Sequence, residues 1–460
     1  MSWSRDKARQ MLSRSARGAA LAATMCLLLQ GLSQAGDAPA ASGAAASEAV
    51  APGAVSSGAV SSGAAAPGAA LTATAGPPLS PAERGRYLAI AGNCASCHTA
   101  PGGEALAGGV QFATPFGKLY STNITPDPET GIGRWTAAQF REALRKGVRP
   151  DGQHLYPVFP YPSFTNVTDA DSDALFAYLR SIPAVRSTPP ANDMSFPYNQ
   201  RWLMSVWNMI YLNEGPYKPD TSKSAQWNRG AYLVRGLLHC SACHSPRNFL
   251  GAESTSAALT GGIYQDKIAS GELRNWSTPN LTPAADGLAS WPLAEIASYL
   301  KTGRNAFVET FGPMNEVILN STSHLSDSDV QAIAFYLKSL PPQPAPAGTA
   351  PDKQTLDAGA TLYDVHCGTC HLPTGLGSED TGTRLAGNPV VQASDPSSLI
   401  NTILYGPPLP DPPLPAKWKA MEGFGDTLSD DEVAQLSSYL RSAWGNKGGA
   451  VTAAQVAKQR

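Results

Sequence analysis

The chain has 460 residues, too many for one ordinary domain, and length alone suggests roughly two to four compact units. Its 34 basic residues nearly balance 36 acidic ones, which argues against a nucleic-acid partner, since such proteins carry a basic stripe. With 42% apolar residues the chain can bury real cores, while 43 Gly, 39 Pro and only 15% charged residues predict many loops and short helices.

The amino end reads as an export signal over residues 1–35. Arg5, Lys7, Arg9, Arg14 and Arg17 form a basic region, Gly18–Leu32 an apolar run, and Ser33-Gln34-Ala35 a cleavage site. A retained membrane anchor is the rival, but about fifteen apolar residues fall short of the roughly twenty a span needs. A lipoprotein reading through Cys26 is weaker, because the apolar run continues past it. From 36 to 81 the chain is nearly all Ala, Gly, Ser, Pro and Val, too poor in large side chains to offset the entropy of ordering; a flexible tether is expected.

The remainder repeats itself. The spacing predicts three tandem helical domains at 82–190, 228–341 and 353–446, a segment joining the first two at 191–227, and a tail at 447–460. Gly85-Arg86-Tyr87-Leu88 and Gly230-Ala231-Tyr232-Leu233 precede the first two cysteine pairs. Ser121-Thr122-Asn123-Ile124-Thr125-Pro126 resembles Thr278-Pro279-Asn280-Leu281-Thr282-Pro283, and a Trp follows each, Trp135 and Trp291. Each unit closes on a helical pattern, Leu175–Leu179, Ile333–Leu337 and Leu436–Leu440, with Asp169, Ser326 and Ser429 placed as N-caps.

Six of the seven cysteines lie in three pentapeptides: Cys94-Ala95-Ser96-Cys97-His98, Cys240-Ser241-Ala242-Cys243-His244 and Cys367-Gly368-Thr369-Cys370-His371. Cys-x-x-Cys-His is the pattern of covalent c-type haem attachment. Two thiols in a turn entering a helix reach the two vinyl groups of one porphyrin, and the next imidazole meets the iron, so His98, His244 and His371 are the expected proximal ligands. A redox dithiol would need a thioredoxin-like β-α-β frame that is not visible. Zinc would need four ligands where each repeat has two cysteines.

A c-type electron carrier also wants a sixth ligand, usually Met. Met314, in Gly312-Pro313-Met314, and Met421, in Met421-Glu422-Gly423, each precede a closing helix and are the expected axial ligands of the second and third haems. The first unit reads His154-Leu155-Tyr156-Pro157-Val158-Phe159, with no Met, so its iron is either five-coordinate or borrows a ligand: His154 locally, or Met194, Met204 or Met209 if the joining segment folds back. His239, His324 and His366 are expected as surface or supporting groups.

Thr114–Gly117, Ser121–Gly133, Asp151–Pro157 and Pro313–Val317 resemble the triheme cytochrome c subunits of bacterial membrane-bound dehydrogenases, including those for alcohol, gluconate, sorbitol and fructose; the likeness runs from the tether to Asn446. It implies a periplasmic subunit at the inner-membrane face, which takes electrons from a catalytic partner carrying PQQ or a flavin and passes them to ubiquinone. Such members usually have Met where Phe159 stands, and the Phe form is more similar to subunits paired with molybdenum hydroxylases of aldehydes or N-heterocycles. On this reading the chain has no substrate-oxidising site of its own. A stand-alone periplasmic carrier and a haem peroxidase using an open first iron are the other classes.

Arg201–Leu212 is dense in large apolar groups, either a strut between units or a patch lying on a membrane interface or partner.

Overall fold

The computed structural model describes residues 79–267, 273–378, 381–408 and 420–460. It traces one path three times: a helix enters, a short helical turn carries the cysteines, and a last helix crosses back over the first. The signal peptide expected at 1–35, with Cys26, and nearly all of the tether expected at 36–81 lie outside these residues.

The first repeat holds α1 (Pro81–Ala91), α2 (Cys94–His98), β1 (Gln111–Thr114), β2 (Gly117–Tyr120), α3 (Ala137–Lys146), α4 (Tyr161–Phe164) and α5 (Asp169–Ser181). Ser80 starts α1 through a capping box with Glu83. β3 (Asp193–Met194) and α6 (Leu203–Tyr211) follow in the joining segment. The second repeat holds α7 (Ala225–Tyr232), a π-helical turn at Leu233–Leu237, α8 (Ser241–His244), β4 (Gly262–Lys267), β5 (Leu273–Thr278), α9 (Leu293–Thr302), α10 (Met314–Asn320) and α11 (Asp327–Lys338). The third holds α12 (Lys353–His366), α13 (Gly368–His371), α14 (Ser397–Tyr405), α15 (Asp430–Leu440) and α16 (Ala453–Ala457).

The molecule is mainly helical, as expected, but two small sheets were not foreseen. β1 and β2 form a hairpin with Phe112 opposite Leu119, and β3 adds to its edge with Met194 opposite Gly117. β4 and β5 pair with Tyr264 opposite Trp276. Each hairpin lies between a cysteine motif and the Asn-x-Thr-Pro stretch, where it folds the chain back toward the histidine.

The entry and closing helices of each repeat, α1 with α5, α7 with α11 and α12 with α15, cross at a glycine. A Cβ on Gly85 would lie 1.9 Å from Ala174 O, on Gly230 2.0 Å from Ala332 O, and on Gly359 2.3 Å from Gln435 O. Only a bare backbone permits that approach. The run from Gly230 to Cys240 is one residue longer than from Gly85 to Cys94, and the π turn absorbs the extra residue without moving the crossing. Ser326 and Ser429 cap their helices as expected. In the first repeat the cap is Thr168, not Asp169. Thr168 has the extended backbone a cap needs and accepts from the Asp171 amide, leaving Asp169 in the first turn.

Although the sequence repeats three times, residues 75–460 form one compact unit. The first two repeats share a core in which Leu88, Val167 and Leu175 meet Leu233, Leu237, Ile333 and Tyr336. They are also cross-braced. Asp171 of α5 accepts from Arg84 Nε at 2.7 Å and from the Tyr232 hydroxyl of the second repeat at 2.5 Å. Asp329 of α11 accepts from Arg229 at 2.7 and 2.6 Å and from the Tyr87 hydroxyl of the first repeat at 2.6 Å. The two clusters are the same set of residue types with the tyrosines exchanged between repeats.

The third repeat has its own core around Tyr363, Ile400, Val433 and Leu436. It is seamed to the second: Ser398 Oγ donates to Ser277 O at 2.9 Å, Asn401 Nδ2 to Asn275 O at 2.8 Å, and the Arg274 guanidinium lies 3.5 Å from the Tyr405 ring centroid. The stretch expected as a tail, 447–460, belongs to that core: Val451 and Val456 are buried in it, and Arg460 pairs with Asp430 at 2.7 Å.

Candidate haem attachment sites

The six motif cysteines are unpaired and half-buried. Burial pushes Cys94 and Cys240 up to about 12, and Cys97, Cys243 and Cys367 to about 11. A catalytic dithiol needs the opposite, a thiol pKa pulled down toward neutrality. Among the described residues no group of three or more His, Cys, Asp or Glu is placed to hold a metal by itself.

The histidines behave alike. His98 Nδ1 donates to Thr122 O at 2.7 Å, His244 Nδ1 to Pro279 O at 2.8 Å and His371 Nδ1 to Thr383 O at 2.7 Å. Burial favours the neutral imidazole in all three, against the smaller upward pull of the carbonyl bond. A neutral ring that donates through Nδ1 presents Nε2 with its lone pair free, the form an iron ligand needs. This donor set fits a haem.

The acceptor carbonyls lie 24, 35 and 12 residues beyond their histidines, so no fixed spacing marks them. One backbone device delivers all three. Gly108 N donates to His98 O, Gly261 N to His244 O and Gly377 N to His371 O, each glycine having positive φ (78°, 96° and 66°). Two residues earlier the chain is left-handed again, at Leu106, Leu259 and Gly375, whose carbonyls accept from Ile124, Leu281 and Leu385. Sequence reading missed Thr122, Pro279 and Thr383. The usable signal was that the residue before Asn123 and before Asn280 occupies the same place in a repeated motif; the third repeat has Arg384 there and gives none. Those asparagines fasten the turn: Asn123 Nδ2 donates to Val185 O and Asn280 Nδ2 to Gln343 O, tying it to the exit of the repeat.

The first two motifs are neighbours. Asn320, at the end of the helix that begins with Met314, donates to Ser96 Oγ within the first pentapeptide at 2.8 Å, and Ser321 Oγ donates to Ala91 O at 2.8 Å. The Glu316 carboxylate, on the helix that begins with Met314, lies close enough to add to the upward push of burial on the Cys97 thiol. The loop ahead of Met314 is held to the third repeat, where Gly312 N and Asn315 Nδ2 donate to Pro408 O at 2.9 and 2.8 Å. Met421 is half-buried, three residues before Phe424, whose amide donates to Ile403 O.

Backbone register identifies the position that replaces Met in the first repeat. Leu155 N donates to Gly147 O, and Thr310 N to Gly303 O, both at 2.7 Å. Counting onward from these matched bonds, Phe159 falls where Met314 stands, and His154 where Glu309 stands.

The other histidines are not brought to these centres. His239 packs between the first two repeats, its Nε2 donating to Gly92 O at 3.4 Å and its ring edge-on to Phe164. His366 packs on Phe424, and His324 is exposed, donating to Leu319 O. In the joining segment, strut and patch describe different residues. Trp207 is buried and its Nε1 donates to Leu250 O, as a strut would, whereas Trp202, Met209 and Ile210 are exposed on the other face.

The "Cytochrome c" family model matches residues 82–183 and 228–341, and "Cytochrome C oxidase, cbb3-type, subunit III" matches 354–440. The alcohol dehydrogenase (quinone) cytochrome c subunit of Gluconacetobacter polyoxogenes is 40% identical over 398 residues, 82% of this chain and 84% of that one. The gluconate 2-dehydrogenase cytochrome c subunit of Pantoea cypripedii is 37% identical over 400 residues, 82% and 89% of the two chains. This chain belongs to the family of dehydrogenase cytochrome c subunits. A nicotinate dehydrogenase subunit of Pseudomonas putida is 48% identical over 370 residues, which is 78% of this chain but only 30% of that protein. The family supplies the coarse function, electron transfer within a dehydrogenase complex, and covalently bound haem c comes with its cytochrome c domains.

Proposed function

We propose that this subunit carries three covalent haems c, on Cys94/Cys97, Cys240/Cys243 and Cys367/Cys370, and passes electrons from a catalytic dehydrogenase subunit to ubiquinone at the periplasmic face of the inner membrane. The observation that carries it is the threefold identity of the sites: each histidine after a Cys-x-x-Cys donates Nδ1 to a backbone carbonyl at 2.7–2.8 Å. Bound haem supplies one-electron exchange at iron. The chain's residues do the rest. His98, His244 and His371 would ligate the iron through Nε2, and the carbonyl bonds fix ring and tautomer. Met314 and Met421 would supply the thioethers that raise potential. The shared core and crossed Asp–Tyr braces keep the first two centres at a set separation.

The partner carries PQQ, a flavin or a molybdenum cofactor. The molybdenum type, acting on an N-heterocyclic aromatic such as nicotinate, is favoured by the 48% identity to the nicotinate dehydrogenase subunit. The export reading of residues 1–35 supports the periplasmic location.

Intact-mass and pyridine haemochrome analysis of the purified protein should give three haems per chain. In a redox titration, Met314→Ala and Met421→Ala should each move one third of the haem absorbance to lower potential. Titration curves that match the parent protein would refute the axial assignments, and a colourless protein the whole reading.

A further inference from the structure

Resting on the three-haem reading above, we propose that the iron at the first site is held by His98 alone and forms a binding site for small neutral diatomic ligands, which the other two centres lack. Three observations bear on it.

The first is register. The matched bonds Leu155 N to Gly147 O and Thr310 N to Gly303 O put Phe159 in the position of Met314. A phenyl ring has no lone pair to offer a metal.

The second is where the rival ligands sit. The joining segment does fold back, as a borrowed ligand would require: Arg201 Nη1 donates to His154 O at 2.7 Å, and Asn208 Nδ2 to Lys146 O at 2.9 Å. Met204 packs in a small cluster with Tyr161, Trp207 and Phe159. Phe159 also belongs to the large core that contains Cys94, while Met204 does not. The Phe159 ring is thus the link between Met204 and the cysteine side of the repeat. Met209 is 79% exposed, and Met194 sits in β3 opposite Gly117 on the sheet edge.

The third concerns His154, whose Nδ1 is buried without a hydrogen-bond partner. It bridges Val148 as Glu309 bridges Arg304, and the Glu309 carboxylate turns across its bridge to the Arg304 guanidinium at 2.7 Å. That place in the loop is five residues ahead of the ligand position, and in the second repeat its side chain pairs with Arg304.

An iron with one strong protein ligand and an apolar residue in the ligand position would take uncharged diatomics such as carbon monoxide or nitric oxide in preference to anions, since the aromatic rings packed with Phe159, those of Phe164, Tyr161 and Trp207, carry no charge to compensate a desolvated anion. Phe159 packs tilted on Phe164, ring centroids 5.3 Å apart, and Phe164 in turn meets His239, so this lining continues into the contact between repeats.

The test uses reduced holoprotein whose haem content has been measured, with carbon monoxide as the probe. The expected result is a Soret change at one haem in three, saturating at one carbon monoxide per chain. Phe159→Met should abolish it and move one third of the haem to higher potential, whereas Met204→Leu and His154→Gln should leave stoichiometry and spectrum unchanged. Three haems per chain with no carbon monoxide uptake overturns the inference alone. So does uptake that appears only after Met204→Leu or His154→Gln, because that residue then supplies the sixth ligand. A peptide map showing Cys94 and Cys97 without porphyrin overturns the three-haem reading and the inference with it.

Discussion

Removing the Tyr232 hydroxyl tests whether the first two repeats are one cooperative body. In Tyr232→Phe the Asp171 carboxylate, 2% exposed, keeps Arg84 but loses a 2.5 Å hydrogen bond from the neighbouring repeat. A hydrogen bond to a buried charge is worth about 1.5–3 kcal/mol. Tyr87→Phe removes the counterpart at Asp329, where the hydroxyl is half-buried and also accepts from Ser326 N, so about 1–2 kcal/mol is expected. The two losses sum to roughly 2.5–5 kcal/mol, and because Arg229 lies 5.7 Å from the Tyr232 ring centroid the double variant should depart from that sum by a coupling of about 0.5 kcal/mol or more. For a cooperative unit of about 250 residues a loss of that size lowers Tm by roughly 5–20 °C. Calorimetry of holoprotein, with Soret melting alongside, is the assay. Because each tyrosine braces the other repeat and Leu88, Leu233 and Ile333 share one core, the first two haem signals should fall together while the third keeps its own transition. Three separate melts, or a double variant that loses less than about 0.5 kcal/mol, would refute the reasoning.

Acid should loosen this body first. Burial works to raise Asp329, but the hydrogen bonds and charge of Arg229 and the Tyr87 hydroxyl outweigh it, and the carboxyl sits below its ordinary range. A depressed folded-state value means the stabilisation is complete above the unfolded value near 4 and is lost as pH falls through the lower folded value. Asp329→Asn should flatten this limb of the stability–pH curve; an unchanged limb would assign the acid sensitivity elsewhere. Gly230→Ala should prevent accumulation of folded protein, with its Cβ 2.0 Å from Ala332 O, whereas Gly236→Ala meets nothing closer than 3.4 Å and should be tolerated; equal expression of both would count against the close crossing. Arg441 is 2% exposed and donates to the carbonyls of Val391, Ala393, Gly448 and Gly449. Arg441→Met should cost about 3–5 kcal/mol and release the last residues to protease, with the first two haems unaffected; a protease-resistant carboxyl end would show that the guanidinium does not hold it.

The sites were legible because their chemistry is local. Cys-x-x-Cys-His joins attachment and ligation within five residues, and neither needs the rest of the chain to be recognised. Closing helices were legible for the same reason, since caps such as Ser326 and Ser429 act over one turn. Thr168 was missed because Thr and Asp both cap, and only the backbone angles at 168 decide between adjacent candidates.

The second half of each site was set by folding. An accepting carbonyl can belong to any residue type, so Thr122, Pro279 and Thr383 had no signature of their own; only the repeated Asn after the first two marked their place, and the two hairpins ahead of those differ in length. Phe159 was visible as a missing methionine, but its equivalence to Met314 depends on two backbone hydrogen bonds, Leu155 to Gly147 and Thr310 to Gly303, that close loops of unequal length. Composition and spacing thus determined that the Cys-x-x-Cys-His pentapeptide occurs three times, each time in a similar run of sequence. Tertiary structure alone fused two of them into one body, because a shared core and exchanged tyrosines depend on side chains more than sixty residues apart meeting in space.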